Sequence, residues 1–191
     1  LGKRVVVVGV PGVGKTTVVG EAVRLLRGAG REAEVAVFGT FMLEEASKMG
    51  VGHRDDMRRL PIEAQRELQS RAAKMIARIP AEVVFVDTHA FIRTPSGLWP
   101  GLPRHVLEEL QPHLFVVVEA APDEILSRRS RDAGRRRDPI DARGVEEELS
   151  MTRAFIAAAS VLTGAPTLTV MNREGRAGEA AQRIVEAIGG L

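Results

Sequence analysis

The chain has 191 residues, 45% of them hydrophobic and 27% charged, which suits one globular domain with a substantial core. Its formal net charge is only +2, so no global pull toward nucleic acid or a membrane surface follows. Cysteine is absent, which excludes disulfides, a thiolate nucleophile and cysteine-ligated zinc.

The run Arg4-Val5-Val6-Val7-Val8 predicts a buried strand. Directly after it stands Gly9-Val10-Pro11-Gly12-Val13-Gly14-Lys15-Thr16-Thr17, a full match to G-x-x-x-x-G-K-[ST]. Val18, Val19, Ala22, Val23, Leu25 and Leu26 follow at helical spacing. Strand, glycine-rich turn and helix are the context this motif needs. Glycines let the backbone wrap a phosphate closely, with successive N–H groups pointing inward at a helix N-terminus. Lys15 can reach the β- and γ-phosphates, and the Thr16 hydroxyl suits Mg²⁺. The stretch is read as a nucleoside triphosphate site.

Gly28 and Gly30 end the first helix, and Glu34 to Phe38 predicts a second strand. Gly39-Thr40 reads as a turn before a short helix that carries Phe41, Met42, Leu43 and Ala46. A polar segment, His53 to Leu60, precedes a long helix from Pro61 through Ile79. Val83 to Asp87 is a third strand, apolar on both faces and so expected inside a parallel sheet. Thr88 to Pro103 reads as a loop rich in turn formers, with a helix around Arg104–Leu110 after it. Leu114 to Glu119 predicts the fourth strand, and Pro122 opens a helix leading into an arginine-dense segment from Arg128 to Arg143. A long helix reaches Thr163, Thr167 to Met171 is the fifth strand, and Gly178 to Ile188 the last helix. The uncharged run from Phe155 to Met171 is broken by Gly164 and Pro166, so it reads as helix, turn and strand rather than a membrane span. With no signal peptide visible, a soluble, cytoplasmic protein is expected.

Strands alternating with helices predict an α/β fold: a five-stranded parallel sheet with helices on both faces, in one domain spanning 1–191. Ligands in such sheets sit at the carboxyl ends of the strands. There Asp87 stands where a carboxylate would hold Mg²⁺ or its water beside Thr16, although a helix cap or turn carboxylate is the simpler alternative. Arg128, Arg129, Arg131, Arg135, Arg136, Arg137 and Arg143 outnumber Asp132, Asp138 and Asp141 in the basic segment. All but four of the chain's 27 basic residues are arginine, so a solvated face is one reading. Gly134 and Pro139 break helical periodicity, however, and a basic loop near a triphosphate is what phosphoryl transfer needs. Arg54, Arg58 and Arg59 are read either as local partners of Asp55 and Asp56 or as a clamp on an acceptor phosphate. The four histidines show no metal-ligand spacing.

Together, the phosphate loop, Phe38-Gly39-Thr40, Arg54-Asp-Asp-Met-Arg58, Val86-Asp87-Thr88-His89, Pro100-Gly101-Leu102-Pro103, Glu119 with Pro122-Asp123-Glu124-Ile125-Leu126, Arg135-x-Arg137-Asp138 and Leu162-Thr163-Gly164 closely resemble archaeal adenylate kinases. The resemblance covers essentially the whole chain. It implies transfer of the ATP γ-phosphate to AMP, giving two ADP, with Mg²⁺ as cofactor. It also implies an acceptor-binding insert over about 39–80, a short lid over about 129–140, and a homotrimer. Carried over residue by residue, Gly9 to Thr17 would hold the ATP phosphates, and Arg129 would stack on the ATP base. Lys15, Arg135, Arg137 and Asp87 would serve the transfer, Thr16 and Asp87 the metal, and Thr40, Arg54 and Arg58 the AMP. Arg93 lies six residues after Asp87, whereas bacterial enzymes place an arginine four residues after theirs.

Other readings of the motif are a kinase for another nucleoside monophosphate or a small metabolite, a GTP-driven switch, and an RNA- or ribosome-associated ATPase. Against the switch, Asn172 is followed by Arg173-Glu174-Gly175 rather than Lys-x-Asp, and Ala90 stands where Asp-x-x-Gly would need glycine. An aromatic content of 4% argues against nucleic-acid stacking.

Overall fold

A computed structural model describes residues 2–57, 59–94, 97–131 and 141–191, without the side chains of Arg54 and Asp55. Arg58, Arg135 and Arg137 therefore lie outside the described residues, as does most of the expected lid.

Five strands form the expected parallel sheet: β1 (Lys3–Val8), β2 (Ala33–Val37), β3 (Val83–Asp87), β6 (Leu114–Glu119) and β7 (Thr167–Met171), in the order β2-β3-β1-β6-β7. β1 takes the centre because four consecutive valines can be buried on both sheet faces at once. Val5 and Val7 pack with Leu26 of α1 (Lys15–Gly28) and with Ile184 and Ile188 of α8 (Ala177–Gly189). Val6 and Val8 face the opposite layer, with Ile76 of α4 (Ile62–Ala77), Leu110 of α5 (Arg104–Leu110) and Ile156 of α7 (Ala142–Thr163). Each buried valine contributes about 1.5–3 kcal/mol relative to exposure, so the strand beneath the glycine-rich loop is a rigid support.

After β3 the chain crosses from one side of β1 to the other and returns in β6. The order reverses beside β1, and that is where open α/β sheets bind ligands.

Two local readings change. Gly39 and Thr40 are not a turn: α2 (Phe38–Ser47) starts directly at the end of β2, with Phe38 and Ala46 buried. The tertiary burial of that face outweighs the turn signal of a glycine. Thr88 to Pro103 is not all loop: β4 (Phe91–Thr94) and β5 (Gly97–Pro100) pair antiparallel, Ile92 opposite Trp99. The polar segment before Pro61 contains a short helix, α3 (Arg54–Met57). The remaining helix, α6 (Pro122–Arg131), leads toward the basic segment. No helix among the described residues is long and apolar enough to cross a membrane.

Candidate functional site

The loop after β1 gets its shape from close packing beneath it. A Cβ on Gly9 would lie 2.6 Å from the Val118 carbonyl oxygen of β6, so only glycine lets the two backbones approach. Gly12 and Gly14 have φ of 93° and 83°, in the left-handed region. Gly14 caps α1, and Val18 N donates to its carbonyl at 3.2 Å. The first-turn N–H groups of α1 have no partner within the helix, and no acidic side chain stands in that turn to oppose an anion.

Val10 to Thr16 line one end of a cavity of about 990 Å³. Gly9 sits behind the loop, and the Thr17 side is exposed to solvent. Lys15 Nζ lies 2.9 Å from Asp87 Oδ1 and donates to the Thr88 carbonyl at 2.9 Å. Lys15 and Asp87 side chains are 10% and 16% exposed, so this pair is largely withdrawn from water and strengthened by it. Thr16, exposed on the cavity rim after β1, and Asp87, at the end of β3, both line the space.

The far wall comes from the elements after β2 and β3. Phe38, Gly39, Thr40 and Met42 of α2, Met57 of α3, and Gln65 and Gln69 of α4 face Ile92 and Trp99 of the hairpin. Thr40 therefore lines the cavity on the side opposite the loop. Arg54 lies in α3, and Met57 of that helix lines the cavity. Gln69 is almost fully buried, donates from Nε2 to the Pro100 carbonyl at 3.2 Å, and leaves Oε1 without a donor. Sequence reasoning missed Gln65, Gln69 and Trp99, because helix α4 and the hairpin become neighbours only in the fold.

A network the sequence did not disclose surrounds the loop. Arg129 donates from Nε to the Pro11 carbonyl at 2.7 Å and from Nη2 to Glu148 Oε2 at 2.8 Å. Its guanidinium is committed to those acceptors, and stacking on a base requires that clasp to open. Glu148, on α7, also accepts from Arg93 Nε at 3.2 Å, so one carboxylate joins the hairpin to α6. Arg128 lines the cavity and donates to the Val13 carbonyl at 3.2 Å, the Asn172 carbonyl at 3.1 Å and Glu174 at 3.0 Å. Glu124 accepts from the Glu174 and Ala121 N–H groups. The Glu174 N–H bond is the main reason its carboxyl is held below the ordinary value.

A wide cavity with an anion-binding loop at one end, a lysine–aspartate pair at its base and a half-apolar wall opposite is suited to moving a phosphoryl group between two ligands. Known proteins agree with that chemistry. A family model described as an AAA domain matches residues 8–146. An adenylate kinase from Methanocaldococcus jannaschii is 45% identical over 97% of this chain and 98% of its own. One from Methanopyrus kandleri is 46% identical over the whole of both chains. Among solved structures, shikimate kinase from Bacteroides thetaiotaomicron superposes with a TM-score of 0.64 at 15% identity, covering 98% of each chain, which shows the shared fold. With near-full-length identity of this order to several archaeal relatives, the chain belongs to the adenylate kinase family.

Proposed function

We propose that the protein catalyses reversible transfer of the ATP γ-phosphate to AMP, giving two ADP. The observation that carries this reading is that one continuous cavity runs from the phosphate loop to the wall formed by Thr40, Met57, Gln69 and Trp99. Donor and acceptor can then meet without crossing solvent, and little covalent chemistry is asked of the protein.

Val10 to Thr16 would cradle the donor phosphates with backbone N–H groups. On triphosphate binding, the Lys15 ammonium exchanges its contact with Asp87 for the β- and γ-phosphate oxygens. That exchange frees the Asp87 carboxylate in the cavity that Thr16 also lines. Among the described residues no group of three or more acidic or histidine ligands is present, so those residues offer no all-protein metal cage. One carboxylate and one hydroxyl fit Mg²⁺, which takes few protein ligands and fills its shell with phosphate oxygens and water. When bound, Mg²⁺ would neutralise charge on the phosphates.

Thr40, with Arg54 and Arg58, would hold the AMP phosphate in an insert over about 39–80. Arg135 and Arg137 would close from a lid over about 129–140 and neutralise the transferring group. Support for the lid is the position of α6, whose Arg128 and Arg129 touch the loop at Val13 and Pro11. Arg129 would turn from Glu148 onto the ATP base as the lid closes.

An acceptor panel tests the reading. Purified protein with ATP and Mg²⁺ should make ADP with AMP at least about tenfold faster than with CMP, UMP, GMP or dTMP, since a site that hydrogen-bonds one base leaves polar groups unpaired with another. A faster rate with any of the others would reassign the acceptor.

A cytoplasmic homotrimer completes the proposal. Its structural support is an apolar surface at the end of α7, where Val161 is 85% exposed and Leu162 65%. Sedimentation at about three times the chain mass is expected; a monomer at micromolar concentration would remove this part.

A further inference from the structure

The phosphate loop is gripped at one carbonyl, from the residue after β7 and from α6. Asn172, the only asparagine in the chain, follows β7 and is 5% exposed. Its Nδ2 donates to the Val13 carbonyl at 2.7 Å across a separation of 159 residues. A carbonyl can only accept, so the amide is oriented with its NH₂ toward the loop. Arg128 Nη1 donates to the same oxygen at 3.2 Å, and Arg128 Nη2 holds the Asn172 carbonyl. The Asn172 N–H in turn donates to the Glu119 carbonyl at 2.7 Å, which anchors it to the sheet.

The consequence follows from peptide geometry. In a planar trans peptide the carbonyl of one residue and the N–H of the next point in opposite directions. Asn172 does not line the cavity, so holding the Val13 carbonyl toward its amide turns the Gly14 N–H the other way, toward the cavity that Gly14 lines. At Gly14 φ is 83°, and glycine has no steric preference that would hold this peptide in one orientation unaided.

We infer that Asn172 and Arg128 are positioning residues that lock the Val13–Gly14 peptide so that its N–H faces the donor's phosphates. The lock pre-organises the cradle, so binding energy is not spent on turning a peptide. Because Arg128 sits on α6, three residues before its end, the lock also links the loop to the helix that leads into the basic segment. This rests on the phosphate-loop part of the proposed function, not on the identity of the acceptor.

Binding of the Mg²⁺ complex of a non-hydrolysable ATP analogue, AMP-PNP, measured by calorimetry separates the two. Asn172→Ala and Arg128→Lys should each weaken it by about tenfold to a hundredfold, the span of one charge-assisted hydrogen bond. In ¹⁵N spectra the Gly14 amide of the ligand-free wild type should be a single sharp peak, and in Asn172→Ala broadened or doubled. Thermal unfolding of both variants should stay within a few degrees of wild type. Analogue affinity within twofold of wild type in both variants, or an unchanged Gly14 amide, would overturn the lock. Should Asn172→Ala prove unfolded, Arg128→Lys with the same two readouts decides. Tight analogue binding by a wild type that phosphorylates no AMP would instead sink the proposed function and leave the lock standing.

Discussion

Lys15→Met should lower the rate of phosphoryl transfer by at least about a hundredfold, the scale for removing one donor from a site of developing charge. The ammonium lies at the base of the cavity, 2.9 Å from Asp87, and can swing to the phosphates by rotating about its own side-chain bonds. Methionine has nearly the same length and helix propensity, so α1 should start where it does now. The variant leaves Asp87 without its partner, but that carboxylate lines an open cavity and is 16% exposed, so water can reach it. A modest loss of stability and an unchanged circular dichroism spectrum are expected. Turnover comparable with wild type would show that Lys15 does not contact the transferring group.

Gly14→Ala should weaken binding of the donor through backbone geometry alone. A Cβ at Gly14 would lie 2.4 Å from Asn172 Nδ2, well inside contact distance, at a φ that L-residues rarely adopt. Either the peptide turns or Asn172 moves, and each breaks the bond to the Val13 carbonyl. The expected result is a loss of about tenfold to a hundredfold in affinity for the ATP analogue, the worth of the N–H contact that turns away. The same carbon at Gly178, in α8 with nothing within 4 Å, should be neutral or slightly stabilising, because alanine is the better helix former. Equal behaviour of the two substitutions in analogue titrations would contradict the account of the loop.

Much of this was legible in the sequence, for identifiable reasons. Val5 to Val8 could only be a strand buried on both faces, and the glycine spacing after it carries its own chemistry. Asp87 was findable because it terminates an apolar run. The hairpin was hidden: its strands are four residues each, with Phe91, Ile92 and Trp99 only partly buried, so no clean alternation marks them. Gly39 pointed to a turn, yet the burial of Phe38 against the sheet carries the helix through it. Asn172 stood at the carboxyl end of a strand, where ligands sit, but its contact with Val13 and those of Glu148 with Arg93 and Arg129 could not be read from spacing. They arise because the parallel sheet delivers the end of β7 beside the loop after β1, and because α7 packs against α6 and reaches the hairpin through Glu148.

The central claim is that one cavity seats two nucleotides with their phosphates in line. It is tested most directly by running the reaction backward from a single reactant. Purified protein given only ADP and Mg²⁺, followed by ³¹P NMR, should produce ATP and AMP in equal amounts until the three nucleotides reach equilibrium. ADP that persists unchanged in the presence of folded protein, or that yields phosphate instead of ATP, would contradict the account.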